Sequence, residues 1–325
     1  MAPPGVGNMP LQPGAWHQDA NRYQPQHHHP GQSGQRRPIG RPDSDYHTYR
    51  RVVIMRETYQ ALLSEINRMQ PLNPVMLELL SLINNPDTQA EDLTRIISTD
   101  ANTSATILKI ANSPFYGMSG RIRSVKDACV LLGFDQLRNI IYATALEQAS
   151  SGTPHQDWRD TLRRHTLAVA LIADGISQQE AIDIPRGQAY SLGLLHELGK
   201  QVLISELPDL FSEFMAAEGN EKREFFSFFN EAGSIIAKRW RLPEVFRACI
   251  KHVRSRNLDF KPFNREVRLV QCAHRLAQAW GYDTPGETST YQEAEVLNYF
   301  YPDMNPDEVL PPVRETLIND PELSA

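Results

Sequence analysis

The sequence has no unbroken apolar run long enough to cross a bilayer, and no apolar stretch suited to a signal peptide near its start. A cytoplasmic protein is therefore expected. Cysteine is scarce: Cys129, Cys249 and Cys272 are odd in number, scattered, and embedded in apolar helical patterns. Such a set implies no disulfide framework and suits buried thiols in a reducing compartment. There is no Gly-rich phosphate cradle, no serine-hydrolase elbow and no CxxC pair. No alternating strand pattern of useful length occurs either. Positive charge is also in short supply, with 33 Lys and Arg against 39 Asp and Glu for a net charge of −6. The first fifty residues carry five basic and three acidic groups, so the remainder is more acidic still. That balance argues against a nucleic-acid groove in the folded part, because phosphate affinity needs clustered cations.

What is present is helical periodicity. The chain has 325 residues, 41% of them hydrophobic, enough for two ordinary domains with real cores. Residues 1–50 hold eight Pro, six Gly and many Gln and His but almost no aliphatic pattern, so a disordered tail is expected there, with His27, His28 and His29 solvated. Residues 53–149 read as a compact helical bundle. Met76, Leu79, Leu80 and Ile83 recur at helical steps, as do Leu93, Ile96 and Ile97, and Asn112-Ser113-Pro114 stops the pattern from Ala101 to Ala111. Ala149 to Gln156 is small and polar and reads as a junction. Helical periodicity resumes over 157–285, and residues 286–325 suggest two short helices around a Pro-containing loop.

Of the ten histidines, five lie in or at the edge of the tail and His155 lies in the junction. The other four fall on apolar helical faces. His165 lies above Ala168, Val169 and Ile172; His196 is near Leu192 and Leu203; His252 is near Val245 and Cys249; His274 lies between Val270, Ala273 and Ala277. An inward imidazole must be neutral and hydrogen-bonded, or bound to a metal, because burying it charged and alone is costly. Glu197 adjoins one of them in the fragment GLLHELGK, residues 193–200. The close-set Phe225, Phe226, Phe228 and Phe229 read as core, with some able to line an interdomain groove. Arg121, Arg123 and Lys126 surround a turn.

These residues carry a resemblance. His165, then His196-Glu197 inside AYSLGLLHELGK, then EAGSIIAKRWRLPEVFRACIKH and VRLVQCAHRLAQAWG are similar to the HD and HD-GYP phosphohydrolase superfamily. The upstream IISTDANTSATILKIANSPFYG and RIRSVKDACVLLGFDQLRNIIYATAL resemble the amino-terminal half of its catalytically degenerate HDOD branch. The resemblance implies an all-α fold, with a helical bundle packed on a degenerate HD-like helical domain. Hydrolytic relatives hold a divalent cation with His, then His-Asp, then a distant Asp. Here Glu197 replaces the Asp of the doublet, and its extra methylene moves the carboxylate by about one ångström or more. His274 stands at the distant Asp. Phe229 stands where a further His is expected, and of a later pair only His252 remains.

The resemblance thus implies no catalytic residues. His165, His196, Glu197, His252 and His274 remain as a relic, hydrogen-bonded set or as the shell of a single divalent ion such as zinc, iron or manganese, with no cofactor expected by default. Lys200 corresponds to an anion contact in active relatives, and here is expected as a surface cation at a helix end. The function implied is a bacterial regulatory scaffold in signal transduction, acting by protein–protein interaction with components of cyclic-dinucleotide or two-component circuits and without membrane or nucleic-acid partners. The alternatives are a metal-dependent phosphohydrolase or phosphodiesterase, or a ligand sensor without turnover.

Overall fold

A computed structural model describes residues 72–112, 116, 120–149, 155–179, 182–255 and 259–320, together with residues 64, 66 and 323. The tail expected over residues 1–50, with its three consecutive histidines, lies outside the described residues. Among those described the regular structure is helical, and β pairing is limited to one isolated bridge between Thr284 and Glu287.

Local chemistry sets the first helices. Asn73 accepts a hydrogen bond from the Met76 N–H at 2.7 Å and Pro74 takes the first turn, where a missing N–H costs nothing, so α1 runs Pro74–Ile83 with Met76, Leu79, Leu80 and Ile83 buried. In α2, Ala90–Ile97, Asp92 accepts from the Gln89 N–H, and Leu93, Ile96 and Ile97 face inward. Asp100 caps α3, Ala101–Ala111, by accepting from the Thr103 N–H at 2.8 Å. The Asn112 side chain closes that helix, donating to the Leu108 and Ile122 carbonyls and accepting from the Ile122 N–H. Ser124 caps α4, Val125–Leu132, and Gly133 ends it at φ 81°, a conformation that favours glycine. α5 follows over Phe134–Ala149.

The second run comprises α6 Gln156–Ser177, α7 Arg186–Leu195, α8 Leu198–Glu206, α9 Pro208–Ala216, α10 Gly219–Arg239, α11 Glu244–His252 and α12 Asn264–Ala279. Two short helices close the chain, α13 Glu293–Phe300 and α14 Pro306–Ile318. The described residues fall in one compact unit. α5 packs against α7 and α8, and Ser191 on α7 donates to Asn139 on α5 at 2.5 Å. α6 carries α7, α12 and α14 on its surface, while α10 packs on α8 and α11.

The fragment GLLHELGK lies where these layers meet, and its two glycines are contact points. A Cβ on Gly193 would stand 2.6 Å from Ala170 Cα, so only glycine lets α7 lie this close to α6. A Cβ on Gly199 would meet the Phe229 carbonyl oxygen at 1.9 Å and the Gly233 nitrogen at 2.9 Å, so α8 crosses α10 backbone to backbone. The His196-Glu197 corner is thereby clamped on both sides. Gly199→Ala should cost on the order of 3 kcal/mol in urea unfolding, because the new methyl collides with main chain that cannot rotate away.

Candidate functional site

Four of the five residues singled out by the pattern converge. His165 comes from the middle of α6, His196 and Glu197 from the α7–α8 corner, and His274 from α12, and none is more than 3% exposed. One potential ligand atom from each lies within 4.8 Å of all the others. His252 does not join them. It is half-buried at the end of α11, stacked on Phe260 with ring centroids 4.4 Å apart.

The three convergent imidazoles are held by groups that decide where their protons sit. His165 Nδ1–H donates to the Tyr282 carbonyl at 2.7 Å, and His196 Nδ1–H donates to the Gly193 carbonyl at 2.6 Å. A carbonyl can only accept, so the Nε2 atoms of both rings present lone pairs. These face His274 Nδ1 at 3.0 and 3.1 Å and each other at 3.3 Å. The far nitrogen of His274 points at Glu287, with Nε2 3.7 Å from Oε1. Burial disfavours the charged ring, pushing His196 down to about 3 against the pull of Glu197. Burial, then the neighbouring His274 and His196, holds His165 well below its ordinary value; burial also lowers His274, with Glu287 opposing.

Three nitrogens crowd one point with at most one shared proton between them, an arrangement that suits a cation. In tetrahedral and octahedral shells with metal–nitrogen bonds of about 2.0–2.1 Å, neighbouring nitrogens lie about 2.9–3.4 Å apart, which brackets all three separations. Ring N–H groups tied to backbone carbonyls on the far side are also how metal-binding histidines are oriented. The donor set fits one ion of the zinc type, which His165, His196 and His274 would hold.

Glu197 is differently engaged. Its Oε1 accepts from Arg254 and lies 3.4 Å from Lys200 Nζ. Burial alone would raise its carboxyl, but Arg254 and Lys200 outweigh that and hold it well below the usual carboxylate range. Lys200, expected at the surface, is fully buried instead. The helix end it occupies is an internal one, because the glycine crossing pulls α8 into the core. Burial, then the nearby Arg254, lowers the Lys200 ammonium to about 8 despite Glu197 and Glu287. It donates to Thr284 Oγ1 at 3.0 Å, and the ring of Phe226 lies 4.9 Å below it and 4.7 Å from the Arg254 guanidinium. Phe229, at the position of the lost histidine, is core, packed on Phe211 and Phe214.

Arg254, Tyr282, Thr284 and Glu287 complete the site and escaped the periodicity. Arg254 lies just past the end of α11, and the others belong to a strap, Tyr282–Glu287, between α12 and α13. Glu287 Oε2 accepts from Arg254 Nε at 2.9 Å and from Nη2 at 2.7 Å. The one sequence signal for Arg254 was its place two residues beyond His252.

The sequence profile of the HDOD domain family matches residues 69–255, more than half of the chain. An uncharacterized protein of Treponema pallidum (strain Nichols) is 27% identical over 192 residues, which are 57% of this chain and 37% of that protein. The chain therefore spans well under half the length of that curated relative. Among solved structures, a protein of Shewanella amazonensis SB2B provisionally named a phosphohydrolase superposes with a TM-score of 0.64 at 20% identity, covering 81% of this chain and 96% of that one. One of Marinobacter aquaeolei VT8, provisionally named a signal transduction protein, gives 0.60 at 21% identity over 81% and 63%. At such identities the likeness is one of fold.

The buried imidazoles make stability depend on pH. Each is neutral when folded, with its value depressed from 6.5, so the unfolded chain binds more protons as pH falls below about 6.5 and stability falls with it. Urea titrations between about pH 7 and pH 5 should show this loss, approaching about 1.4 kcal/mol per pH unit for each ring, and a shallower loss in His274→Asn.

Proposed function

The chain belongs to the HDOD family, and on that premise we propose that it is a regulatory signal-transduction module whose inherited pocket holds a single ion as a structural centre and does not hydrolyse phosphoesters. The carrying observation is the engagement of Glu197. A hydrolytic centre keeps an open position on its metal and a free oxygen-rich ligand set to acidify bound water. Glu197 is instead committed to Arg254 and Lys200, and the imidazoles face one another in a closed, buried cluster. A bound ion would supply charge to three neutral nitrogens and cross-link α6, α7 and α12. Three nitrogens leave one position of a tetrahedral ion open, and Glu197, held through Oε1 by Arg254 and Lys200, is not free to serve there as the activating base.

Output then has to come from the surface. On α4, Val130 is 74% and Leu131 47% exposed, beside the exposed Arg121, Arg123 and Lys126. Exposed apolar side chains on a short helix whose start carries exposed cations suit a protein partner with an acidic, partly apolar face. Components of cyclic-dinucleotide or two-component circuits are the partners this reading favours.

The purified chain should contain close to stoichiometric metal by elemental analysis, and a strong chelator should lower its unfolding temperature. Zinc at about a thousand times its Kd should restore about 4 kcal/mol. Incubation with cyclic dinucleotides or bis(p-nitrophenyl) phosphate, with manganese, iron or zinc added, should give no turnover. Hydrolysis at enzyme-like rates that is lost in His196→Ala would overturn the reading in favour of a phosphodiesterase.

A further inference from the structure

A cleft lies apart from the histidines, where the end of α1, α5 and the starts of α7 and α11 meet. Its volume is about 540 Å³, within the range of roughly 300–1,000 Å³ typical of small-molecule sites. None of the residues lining it belongs to the histidine cluster or to the four charges beside it. It is a second site, and nothing about it depends on a bound ion.

The walls are held in place by the fold. Phe134, Tyr142 and Phe246 supply aromatic surface, and the Tyr142 and Phe246 rings meet at 5.2 Å, tilted by 59°, across α5 and α11. The Tyr142 hydroxyl donates to Asn84 Oδ1 at 2.7 Å, and Asn84 Nδ2 donates to the Leu80 carbonyl at 2.6 Å, which ties that corner to α1. Pro86, Pro185 and Pro243 form further edges, with backbone whose φ is fixed by the ring.

Two polar side chains of the wall are left over by this packing. Gln188 on α7 is half-buried and has no hydrogen-bond partner among the described residues. Arg138 on α5, 30% exposed, pairs among the described residues with Asp135 alone, a carboxylate one turn earlier that is 72% exposed. So open an ion pair is weak and readily exchanged. Arg138 is also the one charged side chain lining the cleft, which is therefore cationic.

Each leftover group selects a chemistry. Aromatic walls favour a flat ring, a free amide pairs with neighbouring donor and acceptor atoms on a ring edge, and a guanidinium takes two oxygens of a carboxylate or phosphate. We propose that this cleft binds a small aromatic anion, with its ring against Phe134, Tyr142 and Phe246, its acidic group on Arg138 and a polar ring edge on Gln188. Such a ligand would join α5 to α7 and α11 and so stabilise the packing of the two helical runs.

The test is calorimetric and thermal-unfolding titration of the purified chain with adenosine monophosphate and with indoleacetate, against adenosine and inorganic phosphate, which carry the ring or the charge alone. At least one aromatic anion should raise the unfolding temperature and bind about tenfold or more tighter than adenosine or phosphate. Binding of the nucleotide alone identifies a phosphate-bearing ligand, of indoleacetate alone a carboxylate, and of both a cleft that takes either group. Arg138→Gln should weaken the bound anion about tenfold or more and leave adenosine unchanged, whereas Asp135→Asn, which frees the guanidinium, should tighten it. Gln188→Trp, which fills the cleft, should remove binding; should that variant not fold, Arg138→Gln decides. Neither anion binding, adenosine or phosphate binding as tightly, or an affinity unchanged in Arg138→Gln overturns the proposal.

Discussion

Four formal charges meet beside the imidazoles, Glu197 and Lys200 fully buried and Arg254 and Glu287 partly so, and the rest of the site follows from keeping their sum at zero. Removing one partner from such a group leaves an uncompensated buried charge, which costs far more than the pairing contributes. Releasing Glu197 to ligate an ion would leave Glu287 as the one carboxylate of the group against both Lys200 and Arg254, which share the ring of Phe226 as their apolar wall. The same constraint reaches the imidazoles. With the nearby charges already balanced, a protonated ring would be an unpaired charge in a closed space, so all three stay neutral, and the Nε2 lone pairs of His165 and His196 turn toward His274 Nδ1.

The geometry that permits this is set by main chain. Gly193 against Ala170 and Gly199 against Phe229 bring α7 onto α6 and α8 onto α10 at distances no side chain would allow. His196 and Glu197 lie between those two crossings, so their positions follow from the docking of four helices. Against that corner the strap from Tyr282 to Glu287 is non-helical, closed on itself by one isolated bridge and joined to the site by the Tyr282 carbonyl and the Thr284 hydroxyl.

Much of the helical layout was legible in residue order. Met76, Leu79, Leu80 and Ile83 are the buried face of α1, α3 ends at Ala111 where Asn112 closes it, and the polar stretch after Ala149 separates α5 from α6. The inward direction of His165, His196 and His274 was legible too, because each sits at helical spacing from aliphatic residues. Lys200 misled, since a lysine near a helix end is ordinarily solvated and nothing in its neighbours reports that α8 is pulled inward at Gly199. His252 misled in the opposite sense, sharing the periodicity of Cys249 while its ring lies on Phe260 outside the cluster.

By itself, then, the order of residues determined the helices, their buried faces and the supply of imidazoles, because periodicity and capping act over a few residues. Only the tertiary structure decided that three nitrogens meet within 3.3 Å, that Lys200 is internal, and that Arg254 and Glu287 belong to the site. Those outcomes depend on charge balance and backbone approach between segments up to 109 residues apart, distances over which Coulomb attraction and close packing leave no periodic trace in the chain.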